Sequence, residues 1–253
     1  MTKELNIKST TIEKGLELIK DFATKLVGPT IDEVGLLMSD KIRYFRFKNQ
    51  IKILVKAEEY VKRENIKIKE IPTKILVPLL ENASLEEDEE LQKKWSFMIG
   101  NLADSDQNLQ NQIFPYILTQ ISINEYERLY EFCEKERAYM IDHIKLLDIR
   151  KEKGYANPEY SNLSKRVNKV QQEGFHVEGL EEYEFSNLQR LGLLRQLPPR
   201  IIIDEFKTEY NDYGGEEWHQ IEAEYDPDDY GYRITSLGIK FVSVCEEKKE
   251  NDY

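Results

Sequence analysis

From Ile12 to Cys133 the apolar residues recur mainly at three- and four-residue steps. A chain spaced in that way gathers its apolar side chains into helical stripes, and such stripes bury themselves against other helices. Ile12, Leu16, Ile19, Ala23 and Leu26 predict a first helix that ends at Gly28-Pro29. Thr30 can cap a second, long helix from Ile31 to about Glu64, with Val34, Met38, Ile42, Phe45 and Ile53 near one face. IKIKEIP at 66–72 reads as an extended connector, because Ile71 precedes a proline and is pushed out of the helical region. Pro72 suits the first turn of a short helix carrying Ile75, Leu76, Leu79 and Leu80. Ser84, with an acidic residue three positions on, predicts a capped start for a helix through Leu91, Trp95, Met98, Ile99 and Leu102. ADSDQN at 103–108 closes it, and a further helix runs from Ile113 to Gln120. Ser122 with Glu125 forms a second capping box, for a helix through Leu129, Phe132 and Cys133.

The pattern changes near Asn157-Pro158. SNLSKRVNKVQQEG and GLEEYEFSNLQRLGLL read as two short helices, the second with Leu180, Tyr183, Phe185, Leu188, Leu191 and Leu194 as its apolar positions. IIIDEF is rich in β-branched residues and reads as a strand, and after an acidic loop so do WHQIEAEY and YGYRIT. SLGIKFVSVC ends the pattern as an apolar helix. Helix, helix, strand, strand, helix is the order of a winged helix-turn-helix. The expected fold is therefore mainly α: a helical domain over 1–152, a winged-helix-like α+β module over 158–246, and a solvated tail over 247–253.

Charge narrows the partners. The chain holds 36 Lys and Arg against 48 Asp and Glu, a net charge of −12. Divided after Asn82, the first part carries 16 basic and 12 acidic residues and the remainder 20 and 36. A polyanion cannot coat such a chain along its length. Two cysteines build no disulfide framework and fit a reducing compartment. The amino terminus has no apolar signal core, and the best apolar run, ILVPLL, falls far short of the roughly 20 residues of a membrane span. The expected location is cytoplasmic, with no membrane span.

No recognised catalytic constellation is present, so no catalytic residue, metal site or cofactor is expected, and the reading leans away from an enzyme. Cys133, Cys245, His143, His176 and His219 lack metal-ligand spacing, and neither a phosphate loop nor a nucleophile elbow occurs. Asp204 and Glu205-Phe206-Lys207 echo the acids and lysine of metal-dependent nucleases, but the first acid adjoins the second where a separate strand is required. Residues 204–230 also hold eleven acids and one base, Lys207, and Glu181, Glu182 and Glu184 accompany Arg190 on the second short helix. Both features set a winged helix here against DNA and toward protein contact.

The one basic patch lies at 40–74, with eleven basic and five acidic residues interleaved with Tyr44, Phe45 and Phe47. Arg43, Tyr44, Arg46, Lys48 and Asn49 on this helix, and Glu81, Asn82, Glu86, Glu87 and Asp88 at a helix start, form the candidate site. It is either a partner-binding surface or an internal ion-pair network in which the cations meet the acids across a helix pair.

Residues 25–102 carry a resemblance. Gly28-Pro29, Asp32-Glu33, Arg43-Tyr44-Phe45-Arg46, Asn49-Gln50, the block from Pro78 to Asp88 and Trp95 make this stretch resemble the Abi-alpha family, bacterial proteins linked with abortive infection. The resemblance covers about the first half of the chain and implies a part in defence against bacteriophage, with no active site to carry over. The functional expectation is an anti-phage protein acting through contacts with an unidentified macromolecular partner, a protein or a second copy of the chain. A winged-helix nucleic-acid-binding regulator is the alternative, and a metal-dependent nuclease ranks below it.

Overall fold

The computed structural model describes residues 22, 25–26, 41–107, 109–198 and 231–248, with the strand segments 201–203, 209–210, 216–217 and 223–225; for 41–44 and those segments it describes the backbone. Among the described residues the chain is mainly helical: α1 (Lys41–Arg63), α2 (Thr73–Ala83), α3 (Glu89–Leu102), α4 (Ile113–Leu118), α5 (Ile123–Lys153), α6 (Pro158–Glu173), α7 (Glu182–Arg190) and α8 (Ser236–Cys245). The strands are β1 (Leu194–Gln196), β2 (Ile201–Ile203), β3 (Glu209–Tyr210), β4 (Glu216–Glu217), β5 (Ala223–Tyr225) and β6 (Tyr232–Ile234). Two compact units emerge, one of residues 1–127 with 239–253 and one of residues 128–238. Their limits fall inside α5 and α8.

In the first unit α1 packs chiefly on α3. Ile53, Leu54, Ala57, Tyr60 and Val61 are buried on one helix, and Leu91, Trp95, Met98, Ile99 and Leu102 on the other. Each fully buried large apolar side chain contributes roughly 1.5–3 kcal/mol on leaving water. The crossing is close because Gly100 has no side chain: a β-carbon there would lie 2.5 Å from Tyr60 Cδ1. The connector after α1 is extended as expected, bridging Ile68 to Asp104, with Lys69 N–H donating to Ala103 O at 2.7 Å. In α2, Ile75, Leu76 and Leu79 are buried while Pro78, inside the helix, faces solvent. The Ser122–Glu125 capping box forms both of its bonds, Ser122 N–H to Glu125 Oε2 at 2.6 Å and Glu125 N–H to Ser122 Oγ at 3.1 Å. The helix it starts runs well past Cys133, since no breaker precedes Gly154.

One cap differs from expectation. Ser84 ends α2, and its hydroxyl donates back to Glu81 O at 2.5 Å. Asp88 starts α3, accepting from the N–H groups of Glu90 and Leu91 at 2.9 Å each. With its hydroxyl used by the preceding helix, Ser84 cannot cap the next one.

In the second unit the strands form three antiparallel pairs, β1 with β6, β2 with β5 and β3 with β4. Phe175 bridges to Tyr232 and adds a further line beside β6. Leu188, Leu191, Leu193, Leu194 and Ile234 are buried, and Phe185 stacks on Tyr232 with centroids 4.5 Å apart. Leu194 was expected on a helix, but Gly192, at φ 71°, turns the chain into β1 two residues earlier. The segment expected as an acidic loop contains β3 and β4.

Candidate functional site

The candidate residues do come together in the first unit, though not through their charges. Arg46 donates from Nε to Ser84 Oγ at 2.9 Å and from Nη2 to Glu81 O at 3.3 Å. Asn49, 3% exposed, donates through Nδ2 to Ser84 O at 3.2 Å and Glu86 O at 3.0 Å. Gln50 reaches Leu80 O at 3.2 Å, and Gln92 also donates to Glu86 O, at 2.9 Å. The last carbonyls of a helix lack intrahelical partners. Here α1 supplies those partners across the helix pair, so the cluster is a side-chain cap for the end of α2.

The carboxylates take no part in that cap. Glu81, Glu87 and Asp88 are exposed, Glu86 Oε1 accepts only the nearby Asp88 N–H at 3.0 Å among the bonds seen, and Asn82 is half-buried. Among the described residues no ion pair joins these acids to Arg46 or Lys48. The side chains of Arg43 and Tyr44 lie outside the described part of α1.

A second polar cluster in the same unit has no counterpart in the sequence expectations. Asn101, 1% exposed, accepts the hydroxyl proton of Tyr60 at 2.8 Å and donates to Val244 O and Glu246 O at 2.9 Å each. Lys94 and the Tyr126 hydroxyl both donate to Glu246 Oε1, at 2.5 and 2.7 Å. Lys248 N–H donates to the Tyr60 oxygen at 3.2 Å, and Lys248 Nζ pairs with the buried Asp104. Burial, the dominant cause, pushes the Tyr60 phenol up to about 12, so it stays a proton donor at neutral pH. The tail expected to be solvated therefore starts as an anchored segment, and residues 249–253 lie outside the described part. The available signal was a lone Asn between Ile99 and Leu102 on an apolar stripe, a position that demands buried partners.

Other candidates resolve individually. Cys133 and Cys245 are buried free thiols, and burial holds the Cys245 thiol well above its ordinary range, protonated and unreactive. Asp142 accepts from Arg166 at 2.5 Å while His143 stacks on Tyr139, so the two neighbours meet different partners. Among the described residues no three His, Cys, Asp or Glu side chains are placed to hold a metal ion. Asp204, Glu205, Lys207 and His219 lie outside the described residues. No described helix is long and apolar enough to cross a membrane.

What the clusters leave open is a cationic face on α1. Lys48 and Lys52 are exposed, Lys56 is half-buried, and Phe45 beside them is 42% exposed. In the second unit Tyr183 on α7 is 72% exposed between Glu182 and Glu184.

Residues 39–245 match the model of the family described as abortive infection alpha. The chain belongs to the abortive infection alpha family. The match begins just before α1 and ends on the last residue of α8, so the family pattern takes in the strand-bearing part as well as the helical first half. No curated protein and no solved structure matches the chain.

Proposed function

We propose that this chain is a bacterial anti-phage defence protein that acts in the cytoplasm by abortive infection, through contact with another macromolecule and not through a recognisable catalytic site. The family match over residues 39–245 carries the reading. The helical part, 1–152, supplies a scaffold, and residues 158–246 are a winged-helix-like module. The order of α6, α7, β1, the strand pairs β2–β5 and β3–β4, β6 and α8 supports that description. Glu182 and Tyr183, both exposed on α7, favour a protein partner over DNA, because phosphate contact needs a cation where this acid stands. Arg46 and Asn49, bonded across to Glu81, Ser84 and Glu86, act in this reading as the structural base of the helix pair that presents the α1 face.

The test is infection of isogenic bacteria with and without the gene. Plaque numbers should fall, and infected carriers should stop growing before phage release. Unchanged plaque counts and burst sizes across a broad phage panel would end this reading.

A further inference from the structure

In the second unit the latter half of α5 carries an exposed apolar stripe. Met140, Ile141, Ile144 and Leu147 are 48, 47, 54 and 39% exposed, and their three- and four-residue spacing gathers them on one side of the helix. Single apolar side chains are ordinary on a protein surface, but four adjoining ones make a patch. Helix α6 does not take that side. It lies against a neighbouring one, where Arg166 pairs with Asp142 and Glu159 with Lys153, and where Leu146 is buried.

The stripe continues at both ends as charge. Glu134, Arg137, Ile141, Ile144, Asp148 and Lys151 follow one another at steps of three, four, three, four and three residues, which is the spacing of a coiled-coil seam. Glu134 and Arg137 are about four-tenths exposed and pair with each other at 2.9 Å, and Asp148 and Lys151 are exposed. Read forward, the seam runs acid, base, apolar, apolar, acid, base. Read backward, it runs base, acid, apolar, apolar, base, acid. An antiparallel copy therefore sets Glu134 against Lys151, Arg137 against Asp148 and Ile141 against Ile144, each contact made twice about a two-fold axis. In the same alignment Met140 and Leu147, beside the seam, face each other across it. A parallel copy in register would set Glu134 against Glu134 and Arg137 against Arg137, and an antiparallel copy slid by one heptad would set the isoleucines against charges.

We infer that residues 134–151 of α5 are a dimerisation surface that pairs antiparallel with the same surface of a second copy of this chain. Charge complementarity selects the copy: a stripe with both signs at both ends is matched by its own reverse, whereas an anionic bilayer favours cations alone beside an apolar stripe. Such an interface is isologous and closes at two chains. The inference concerns assembly and does not depend on the outcome of the plaque test.

Sedimentation velocity of the full chain over a concentration series tests it. Mass should rise with concentration and stop at twice the monomer's. Ile141→Asp/Ile144→Asp should leave a monomer whose circular dichroism matches the wild type, because both side chains are exposed. Should that variant fail to fold, Ile141→Gln/Ile144→Gln should still weaken the dimer. Arg137→Glu alone and Asp148→Lys alone each bring like charges together, and because the dimer holds that pair twice, each should weaken it roughly tenfold. Arg137→Glu/Asp148→Lys on one chain should restore it. A wild-type chain that stays monomeric at every concentration overturns the inference, as does growth beyond two chains or association indifferent to the isoleucine changes. A double reversal no stronger than the single ones overturns it by removing the antiparallel register. Stripe-dependent binding to lipid vesicles without self-association overturns it too, in favour of a bilayer surface.

Discussion

Arg233 on β6 and Glu136 on α5 form a two-pronged ion pair inside the second unit, with Arg233 Nε donating to Glu136 Oε2 at 2.6 Å and Nη2 donating to Oε1. Both side chains are about nine-tenths buried, and the guanidinium lies 4.4 Å from the Tyr139 ring centroid and 5.6 Å from that of Phe175. The hydrogen bonds that Arg233 donates to Glu136 raise its pKa, outweighing burial, so the guanidinium stays charged. Removing one partner leaves a buried charge alone. Arg233→Ala or Glu136→Ala should each cost about 3–5 kcal/mol, while Arg233→Met/Glu136→Leu should cost much less. Urea titration of the single and double variants measures the difference; equal losses in all three would refute the coupling.

Tyr60 ties stability to alkaline pH. Its folded pKa, about 12, lies above the ordinary value of 10.0. Between those values the unfolded chain loses the phenolic proton while the folded one keeps it, so the contribution is present below pH 10 and is lost as pH rises through 12. The full span corresponds to about 2–3 kcal/mol. Melting temperatures measured from pH 9 to pH 12 should fall more steeply for the wild type than for Tyr60→Phe. Parallel slopes would show that Tyr60 is not the titrating group.

Gly100 sets the spacing of α1 and α3. A β-carbon would meet Tyr60 Cδ1 at 2.5 Å and Cε1 at 2.8 Å, and the Tyr60 ring cannot swing away while its hydroxyl is bonded to Asn101. Gly100→Ala gains helix propensity of about 1 kcal/mol, yet overpacking costs typically 1–3 kcal/mol. Net destabilisation is expected in denaturant unfolding. A more stable variant would mean that the helices separate without strain.

Asp88 and Ser84 separate two capping roles. Asp88→Ala should cost about 1 kcal/mol through the lost bonds to Glu90 and Leu91 N–H. Ser84→Ala should instead loosen Arg46 from α2, seen as faster hydrogen exchange at the end of α2 and not at the start of α3. Faster exchange at residues 89–91 in the serine variant would restore Ser84 as the cap of α3.

Local periodicity determined the helices by itself. Leu91, Trp95, Met98, Ile99 and Leu102 define a stripe in any context, and the Ser122–Glu125 box needs only four consecutive residues. The long-range family pattern is likewise a property of the sequence, spanning residues 39–245. Partner choice was not legible in that way. Whether Arg46 meets a carboxylate or a carbonyl depends on where α2 ends, and whether Lys48 stays open depends on which face of α1 meets α3. Asn101 finds Val244 and Glu246 across more than 140 residues. Periodicity records that a side chain is turned inward, but a hydrogen-bond partner is chosen by distances of about 3 Å that only the packed helices establish.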